Sequence, residues 1–335
     1  MAEITTDEIR NFLKPLEGQK VTLDEVRREF NILQGSKSYN IVRVIMNRLV
    51  DQKILKATGV RGEFRVLKEI KTVDWWDGSD PEPITFRFPR SYTDGTKFDI
   101  ENCVEIFEGD MILLDGVTNA GKTAIAISIM GENLDLFGGC LLMGSEHTKT
   151  DGNVDPKFKR RLNRMEWANW INDGHPKFDL LPVGSDYEDY VRMDALNIID
   201  WISLPGDFWL IDTILKKIKD NVGKGVVVPV LQKNSLADYA EGGERAERYA
   251  DLRLTINPYG DYESRLTISR VKAPKGRAKG RTWAFMVVDN GANLKSIREI
   301  VRCSKCYGKG WKQGSPCWDC KQRGYINKEE YEHDI

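Results

Sequence analysis

Residues 116–123, GVTNAGKT, place two glycines, a lysine and a threonine between the apolar runs DMILLD and AIAISIM. The pattern is G-x-x-x-x-G-K-T, and a strand before it and a helix after it provide the context that phosphate binding needs. The glycines let the backbone turn tightly and point N–H groups at phosphate oxygens, while the lysine neutralises phosphate charge and the threonine hydroxyl holds Mg²⁺. The sequence therefore predicts a site for ATP and Mg²⁺ formed by Gly116, Asn119, Ala120, Gly121, Lys122 and Thr123.

Four of the six cysteines form two C-x-x-C pairs that are separated by ten residues. This spacing is typical of a closed, structural Zn²⁺ site with tetrahedral thiolate ligands, which would be Cys303, Cys306, Cys317 and Cys320. Because so short a segment cannot build a hydrophobic core of its own, Zn²⁺ would supply the free energy that folds it. CSKCYGKG and CWDCKQRG both follow the pair with glycine and resemble one zinc unit of the DnaJ cysteine-rich domain.

The residues around these cysteines are rich in lysine, arginine and tryptophan. That composition suits stacking on single-stranded bases, and docking to a protein is the alternative. The other two cysteines, Cys103 and Cys140, lie in apolar runs and are predicted to be core residues of strands.

Three further apolar runs follow the glycine loop and end in polar residues. GGCLLMGSE (138–146) ends in Glu146, ALNIID (195–200) ends in Asp200, and GVVVPVLQKN (225–234) contains Gln232. Asp200 is interpreted as the carboxylate that holds the magnesium shell. Its rival, Asp212, lies in a segment with helical apolar spacing whose start is predicted at 205–207, and is expected in mid-helix.

This order of elements resembles the ATPase core of the RecA superfamily, most closely its DnaB-like replicative helicases, over residues 91–293. The resemblance implies an α/β fold with a mostly parallel sheet. It implies that Glu146 orients the attacking water and that Gln232 senses the γ-phosphate. Arg270 and Lys272, in SRLTISRVK, match the position from which one subunit reaches the nucleotide of the next, which implies a hexameric ring or filament. Their order reverses the usual Lys-x-Arg, so either cation could be this finger.

The N-terminal segments TTDEIRNFL, TLDEVRREF and SKSYNIVRVIMNRLVDQKIL have the caps and apolar spacing of helices, and a hairpin is predicted around Gly59 and Gly62. Three helices and a wing resemble a winged helix-turn-helix domain. In that family the third helix enters a DNA groove, although many members bind only protein. DNA contact would then involve Lys37, Asn40, Arg43, Asn47, Arg61 and Arg65.

Charge is unevenly distributed, although the net charge is only −1. Residues 265–325 carry 15 Lys/Arg against 3 Asp/Glu, while residues 71–264 carry 21 against 34. A polyanionic partner and a solvated surface both explain basic ends. The loop EGGERAERYADLR offers Arg245 and Arg248 to nucleic acid or to solvent, and KFKRRLNR (157–164) is predicted to be a surface helix.

These features divide the chain into a winged helix (1–70), a linker (71–90), an ATPase domain (91–293) and a zinc module (300–326). TVDWWDGSDPEP (72–83) and NGANLKSIRE (290–299) are interpreted as linkers. No long apolar stretch or signal sequence is found, which predicts a cytoplasmic protein without membrane contact. The favoured function is a DNA-dependent ATPase that moves along single-stranded DNA, as a helicase or translocase in replication. A recombinase or loader, and a DNA-binding regulator switched by ATP, are the alternatives.

Overall fold

The computed structural model describes residues 4–69, 72, 73, 76, 78, 80–204, 206–234 and 237–329. The chain divides into two compact units, Met1–Asp80 and Pro81–Ile335. None of the helices in this described part has the length and apolar character needed to cross a bilayer.

The first unit contains three helices and a small antiparallel sheet. Its elements are α1 (Thr6–Leu13), β1 (Lys20–Thr22), α2 (Leu23–Glu29), α3 (Lys37–Asp51), β2 (Leu55–Ala57) and β3 (Glu63–Val66). Thr5 with Glu8, and Thr22 with Glu25, form capping boxes that fix the starts of α1 and α2. The predicted helices and the β2–β3 hairpin are confirmed, and β1 is an additional strand that pairs with β3.

Helix α3 separates an apolar face from a polar one. Its buried residues are Val42, Ile45, Met46 and Leu49. Ile41 and Val50 are half-buried at the margins of that face. The candidate DNA-contacting residues are all exposed: Lys37, Asn40, Arg43 and Asn47 on α3, Arg61 in the hairpin and Arg65 on β3. Contact with DNA remains a prediction.

The second unit is built on one large sheet with helices on both sides. Its strands are β4 (Ile112–Gly116), β5 (Cys140–Met143), β6 (Ile171–Asn172), β7 (His175–Pro176), β8 (Asp179–Leu181), β9 (Leu196–Ile199), β10 (Val226–Gln232), β11 (Leu252–Tyr259), β12 (Glu263–Val271), β13 (Thr282–Val288), β14 (Asn293–Arg302), β15 (Trp311–Lys312), β16 (Ser315–Pro316) and β17 (Tyr325–Asn327). Its helices are α4 (Lys122–Glu132), α5 (Pro156–Arg164), α6 (Tyr187–Tyr190) and α7 (Ile211–Asn221).

Within the described residues, ten strands form this sheet in the order β17-β14-β13-β12-β11-β4-β10-β9-β5-β8. The strands from β11 to β8 are all parallel, and those from β11 to β17 are antiparallel. β4, β5 and β9 are buried along their whole length, as strands covered on both faces must be. The predicted α/β fold with a mostly parallel sheet is confirmed.

Alternate residues of β4 contribute to two separate apolar cores. Ile112 and Leu114 belong to the core that contains the buried residues of α4. Leu113 packs instead with the core that contains Leu215 and Ile218 of α7. The two helices therefore cover opposite faces of the sheet, and the carboxyl end of β4 is held between them.

Both predicted linkers are wrong in part. Phe86 and Phe88 are buried in the core of the second unit, so that the expected linker 71–90 includes structured residues, while 70, 71, 74, 75, 77 and 79 lie outside the described residues. Most of 290–299 belongs to β14, and the sheet of the expected ATPase domain continues past 293 into β14 and β17. The apolar residues of these segments pair or pack instead of connecting domains.

Other local predictions are largely confirmed. The segment that holds Asp212 is helical, although Asp212 lies in the first turn of α7 and not in its middle. Pro205, part of the expected helix start, lies outside the described residues. KFKRRLNR forms most of α5. Cys103 is buried, but it follows a 3₁₀ turn and is not in a strand, whereas Cys140 begins β5.

Candidate nucleotide-binding site

The glycine loop joins β4 directly to α4, as the sequence predicts. A Cβ atom on Gly116 would lie 2.2 Å from the carbonyl oxygen of Ile256 on β11, so only glycine fits there. Gly121 has φ +95°, a left-handed conformation that favours glycine, and a Cβ atom on it would lie 2.8 Å from Cγ2 of Val287 at the end of β13. Both glycines are therefore required by the close approach of neighbouring strands.

Lys122 is the first residue of α4 and points back over the loop. Its Nζ donates to the carbonyl oxygen of Val117 and to Oε1 of Gln232, each at 2.9 Å. Nε2 of Gln232 in turn donates to Oγ1 of Thr118 at 2.6 Å. Burial lowers the pKa of Lys122, and the negative charge of Asp200 and other nearby carboxylates opposes that effect. The loop, its lysine and the end of β10 are thus directly connected.

Thr123 and Asp200 meet at the same edge of the sheet. Oγ1 of Thr123 donates to Oδ1 of Asp200 at 3.2 Å, and Asp200 is almost fully buried directly after β9. The other oxygen, Oδ2, lies 3.2 Å from Nε2 of the buried His147. Among the described residues, neither Oδ2 nor Nε2 has a partner in hydrogen-bonding geometry, although they are within ion-pair distance.

Glu146 lies beside this pair, but it does not end a strand. Strand β5 stops at Met143, and Glu146 is exposed in a short 3₁₀ turn. Its Oε1 accepts a hydrogen bond of 2.8 Å from Nε1 of Trp201, the residue after Asp200. The structure therefore brings Glu146 next to Asp200 through a contact that the sequence pattern does not predict.

These residues fit a nucleotide with a magnesium ion. Oxygen ligands are those that Mg²⁺ prefers, and Thr123 Oγ1 and Asp200 supply them at one point. A buried carboxylate oxygen without a hydrogen-bond partner among the described residues is costly unless a cation or its water shell completes it. Lys122, at the positive end of α4, is the matching group for phosphate. The arrangement can therefore bind a triphosphate and polarise its terminal phosphoryl group.

Helix α5 adds two contacts to this region that sequence reasoning missed. The ring of Phe158 lies 4.5 Å from the ring of His147. Arg161, one turn further, donates from Nε to the carbonyl oxygen of Asn290 at 3.2 Å. Burial lowers the pKa of Arg161, and the charge of Asp200 acts against this. The one sequence signal for these contacts is that His147 directly follows the candidate residue Glu146.

Arg270 and Lys272 lie away from the nucleotide loop of their own chain. The loop follows the carboxyl end of β4, whereas Val271 pairs with Leu252 at the amino end of the parallel β11. Nζ of Lys272 lies 2.8 Å from Asp251. Arg270 makes a longer ion pair of 3.8 Å with Glu247. Within one chain, therefore, both cations are engaged by carboxylates at the opposite edge of the sheet.

A buried ion-pair network starts at the residue before Gly116. Oδ2 of Asp115 accepts from Arg253 at 2.6 Å, and Arg253 also donates to Glu247 at 2.7 Å. Its guanidinium lies 5.3 Å from the ring centre of Tyr239. Burial alone would lower the pKa of Arg253, but the carboxylates of Asp115 and Glu247 raise it above its usual value. The network links β4 with the short 3₁₀ helix that carries Arg245.

The two candidate arginines of the loop 241–253 differ in their surroundings. Arg245 is exposed in the 3₁₀ helix Gly243–Glu247. Arg248 is exposed as well, but its Nη1 donates to Oδ2 of Asp212 on α7 at 3.3 Å. Contact of either residue with nucleic acid remains a prediction.

The four cysteines of the two C-x-x-C pairs form one cluster. Their Sγ atoms all lie within 4.8 Å of one another, and all four side chains are buried. The backbone N–H groups of Gly310 and Gly324 donate to Sγ of Cys306 and Cys320, at 3.3 and 3.2 Å. Burial opposes ionisation of Cys306, but the Gly310 amide and the neighbouring cysteines lower its pKa to about 7. The cluster could hold a metal ion, and four thiol ligands suit Zn²⁺.

No protein-family model and no curated protein matches the sequence. Among solved structures, the chain is similar to a KaiC-like protein from the hyperthermophilic archaeon Pyrococcus horikoshii. The sequence identity is 15%, the TM-score is 0.46, and the match covers 65% of this chain and 99% of that one.

Proposed function

We propose that the chain hydrolyses ATP as a P-loop ATPase of the RecA superfamily. The observation that carries the proposal is the convergence of Lys122, Thr123 and Asp200 at one edge of the sheet, within 3.2 Å of their partners. A glycine turn without a nucleotide would not require a half-buried lysine to hydrogen-bond Gln232 and a buried aspartate to accept from Thr123 at the start of the same helix. The two close backbone approaches at Gly116 and Gly121 support the same function.

Each residue has a role that follows from its position. Lys122 stabilises negative charge on the transferred phosphoryl group, and Thr123 and Asp200 hold Mg²⁺. Glu146 orients the attacking water, with its carboxylate fixed by Trp201. Gln232 contacts Lys122 through its side chain, and its carbonyl oxygen accepts from the N–H of Glu241 at 2.9 Å. A change at the γ-phosphate would therefore reach the loop that carries Arg245.

Nucleic acid is the partner that the rest of the chain supports, and we propose a DnaB-like, oligomeric DNA-dependent ATPase. The exposed face of α3 carries Lys37, Asn40 and Arg43, opposite its apolar face. A helix that presents cations and amides in this way suits a DNA groove. The basic C-terminal part of the chain adds a second region attractive to phosphates.

The test is the rate of phosphate release with single-stranded DNA, with duplex DNA and without DNA, with mass measured in each nucleotide state. We expect hydrolysis that single strands stimulate by about tenfold or more, from an assembly of several chains, because a motor couples turnover to its track. Slow turnover that DNA leaves unchanged would favour a regulator that uses nucleotide as a switch. Stimulation without unwinding of a forked duplex would favour a recombinase or a loader.

A neighbouring chain is proposed to complete the site through Arg270 or Lys272. Because Arg270 has the longer ion pair, it can leave Glu247 more readily than Lys272 can leave Asp251. We expect Arg270→Ala to lower kcat by about 10²- to 10³-fold, as loss of one transition-state contact does, and Lys272→Ala to lower it less.

Mixing two inactive variants separates a role in trans from a role within the chain. Lys122→Ala chains keep Arg270, and Arg270→Ala chains keep the nucleotide loop. Their mixture should regain part of the wild-type phosphate release, because some interfaces then combine an intact Lys122 from one chain with an intact Arg270 from the next. A mixture as inactive as each variant alone would contradict a role in trans.

A further inference from the structure

Three large aromatic side chains around the cysteine cluster are exposed to solvent. The exposed fractions are 81% for Tyr307, 79% for Trp318 and 53% for Trp311. Two of them directly follow cysteines of the cluster, Cys306 and Cys317, and Trp311 begins β15. The four buried cysteines occupy the interior of the module, and these three rings lie on its solvent-exposed surface.

The same module is strongly basic. Residues 302–325 contain six Lys/Arg and a single acid, Asp319. A Zn²⁺ ion with four thiolates would contribute about −2, which leaves the module net positive. The cations Lys305, Lys309, Lys312, Lys321 and Arg323 are all exposed. Exposed rings and exposed positive charges therefore follow one another along the sequence of this module.

The turn between β11 and β12 belongs to the same surface. Nη1 of Arg323 lies 3.4 Å from Oε2 of Glu263, and its guanidinium lies 5.3 Å from the ring centre of Tyr259. These contacts fix the module against the turn. Tyr262, within that turn, is 85% exposed and adds a fourth ring.

We propose that Tyr262, Tyr307, Trp311 and Trp318, with the lysines between them, bind single-stranded nucleic acid. Exposed rings stack on unpaired bases of any sequence, and cations beside them neutralise the phosphates. Charge complementarity excludes neutral and basic peptides, and the exposed rings favour unpaired bases over an acidic peptide. The proposal deepens the proposed function by locating its nucleic-acid partner and rests on that function for the partner's class.

The test measures binding of a fluorescent oligo-dT to the full-length, zinc-loaded protein by anisotropy, without ATP. We expect Tyr307→Ala and Trp318→Ala each to weaken binding by about tenfold, the range seen when one stacking ring is lost. Trp318→Phe should retain most of the affinity. Lys309→Ala with Lys312→Ala should lower the slope of log affinity against log salt concentration.

Tyr190→Ala is the matched control, because Tyr190 is a 51% exposed ring on α6, between the strands β8 and β9 at the other end of the sheet. It should leave the affinity unchanged. Zinc content and melting temperature establish that each variant is folded, and Trp318→Phe and the lysine variants keep the test valid if an alanine variant loses zinc.

Ring replacements that weaken single-strand binding no more than Tyr190→Ala does would overturn the proposal, and would leave a protein partner for these rings. Because the assay contains no ATP, it is independent of hydrolysis. Ring-dependent binding without DNA-stimulated turnover would contradict the proposed motor but uphold this surface. If the ring variants bound a fluorescent duplex more weakly but bound oligo-dT as the wild type does, the proposal of a single-strand site would also be overturned.

Discussion

Lys122→Ala is expected to abolish ATP hydrolysis, with a loss of more than about 10³-fold in rate. Removal of one preorganised donor costs about 10²- to 10³-fold, and Lys122 is expected to act both in binding the phosphates and in stabilising the transition state. Its half-buried position strengthens each of these interactions, because less water competes than at an exposed site. Phosphate release and equilibrium binding of a fluorescent ATP analogue measure the two losses separately.

The fold should survive this change. Lys122 makes two hydrogen bonds, to Val117 and Gln232, and it belongs to none of the apolar cores of the second unit among the described residues. Lys224→Ala is the matched control, since Lys224 is an exposed lysine that precedes β10, whose carboxyl end carries Gln232. A Lys122→Ala protein with the wild-type melting temperature that still hydrolyses ATP within tenfold of the wild-type rate would end the ATPase proposal.

Removal of metal from the cysteine cluster is expected to unfold the module. Zn²⁺ contributes about 10–16 kcal/mol to the folding of comparable small domains, and nothing comparable replaces it here, because the module's interior consists of four thiols. The purified protein should contain one Zn²⁺ per chain. A chelator should release it and make four cysteines reactive toward a thiol reagent, while the buried Cys103 and Cys140 stay protected.

Substitutions can separate the cluster from the other cysteines. Cys306→Ser should abolish zinc binding and expose the amides of Gly310 and Gly324 to hydrogen exchange, because their acceptors are cluster sulfurs. Cys140→Ala, in β5, should retain one Zn²⁺ per chain. A metal-free protein in which both amides remain protected would show that the module folds without metal.

The sequence was sufficient to place the main groups of the candidate site. Asp200 and Gln232 each follow or end a buried apolar run, and the carboxyl ends of parallel strands lie at one edge of a sheet. The glycine loop 116–123, which follows β4, then locates that edge. Glu146 lies three residues beyond the end of its strand, and the short turn after β5 keeps it at the same edge, where it contacts Trp201; its role toward water stays a prediction.

Contacts made by tertiary packing could not be predicted in this way. Asn293 and Ser296 are polar, as in a linker, yet Leu294 and Ile297 of β14 are buried; they lie three residues apart because the pairing of β13 with β14 shifts register between them. Asp115 and Arg253 each occur inside apolar strands, and only the pairing of β4 with β11 brings their charges together. No motif in the sequence links His147 with Asp200. The two residues meet because β5, which precedes His147, pairs with β9, which precedes Asp200.

The pairing of Arg302 with Tyr325 closes the cysteine module into a loop inserted between two neighbouring strands, so that both of its chain ends are anchored at one point. A single tether would let the module rotate freely, but this double anchorage would transmit tension on nucleic acid held at the proposed surface into β14. Strand β14 is hydrogen-bonded to β13, whose Val287 lies against Gly121. Mechanical load at the far end of the sheet would therefore reach the turn at Gly121 through covalent bonds, the hydrogen bonds of β14 with β13, and the packing of Val287 against that turn.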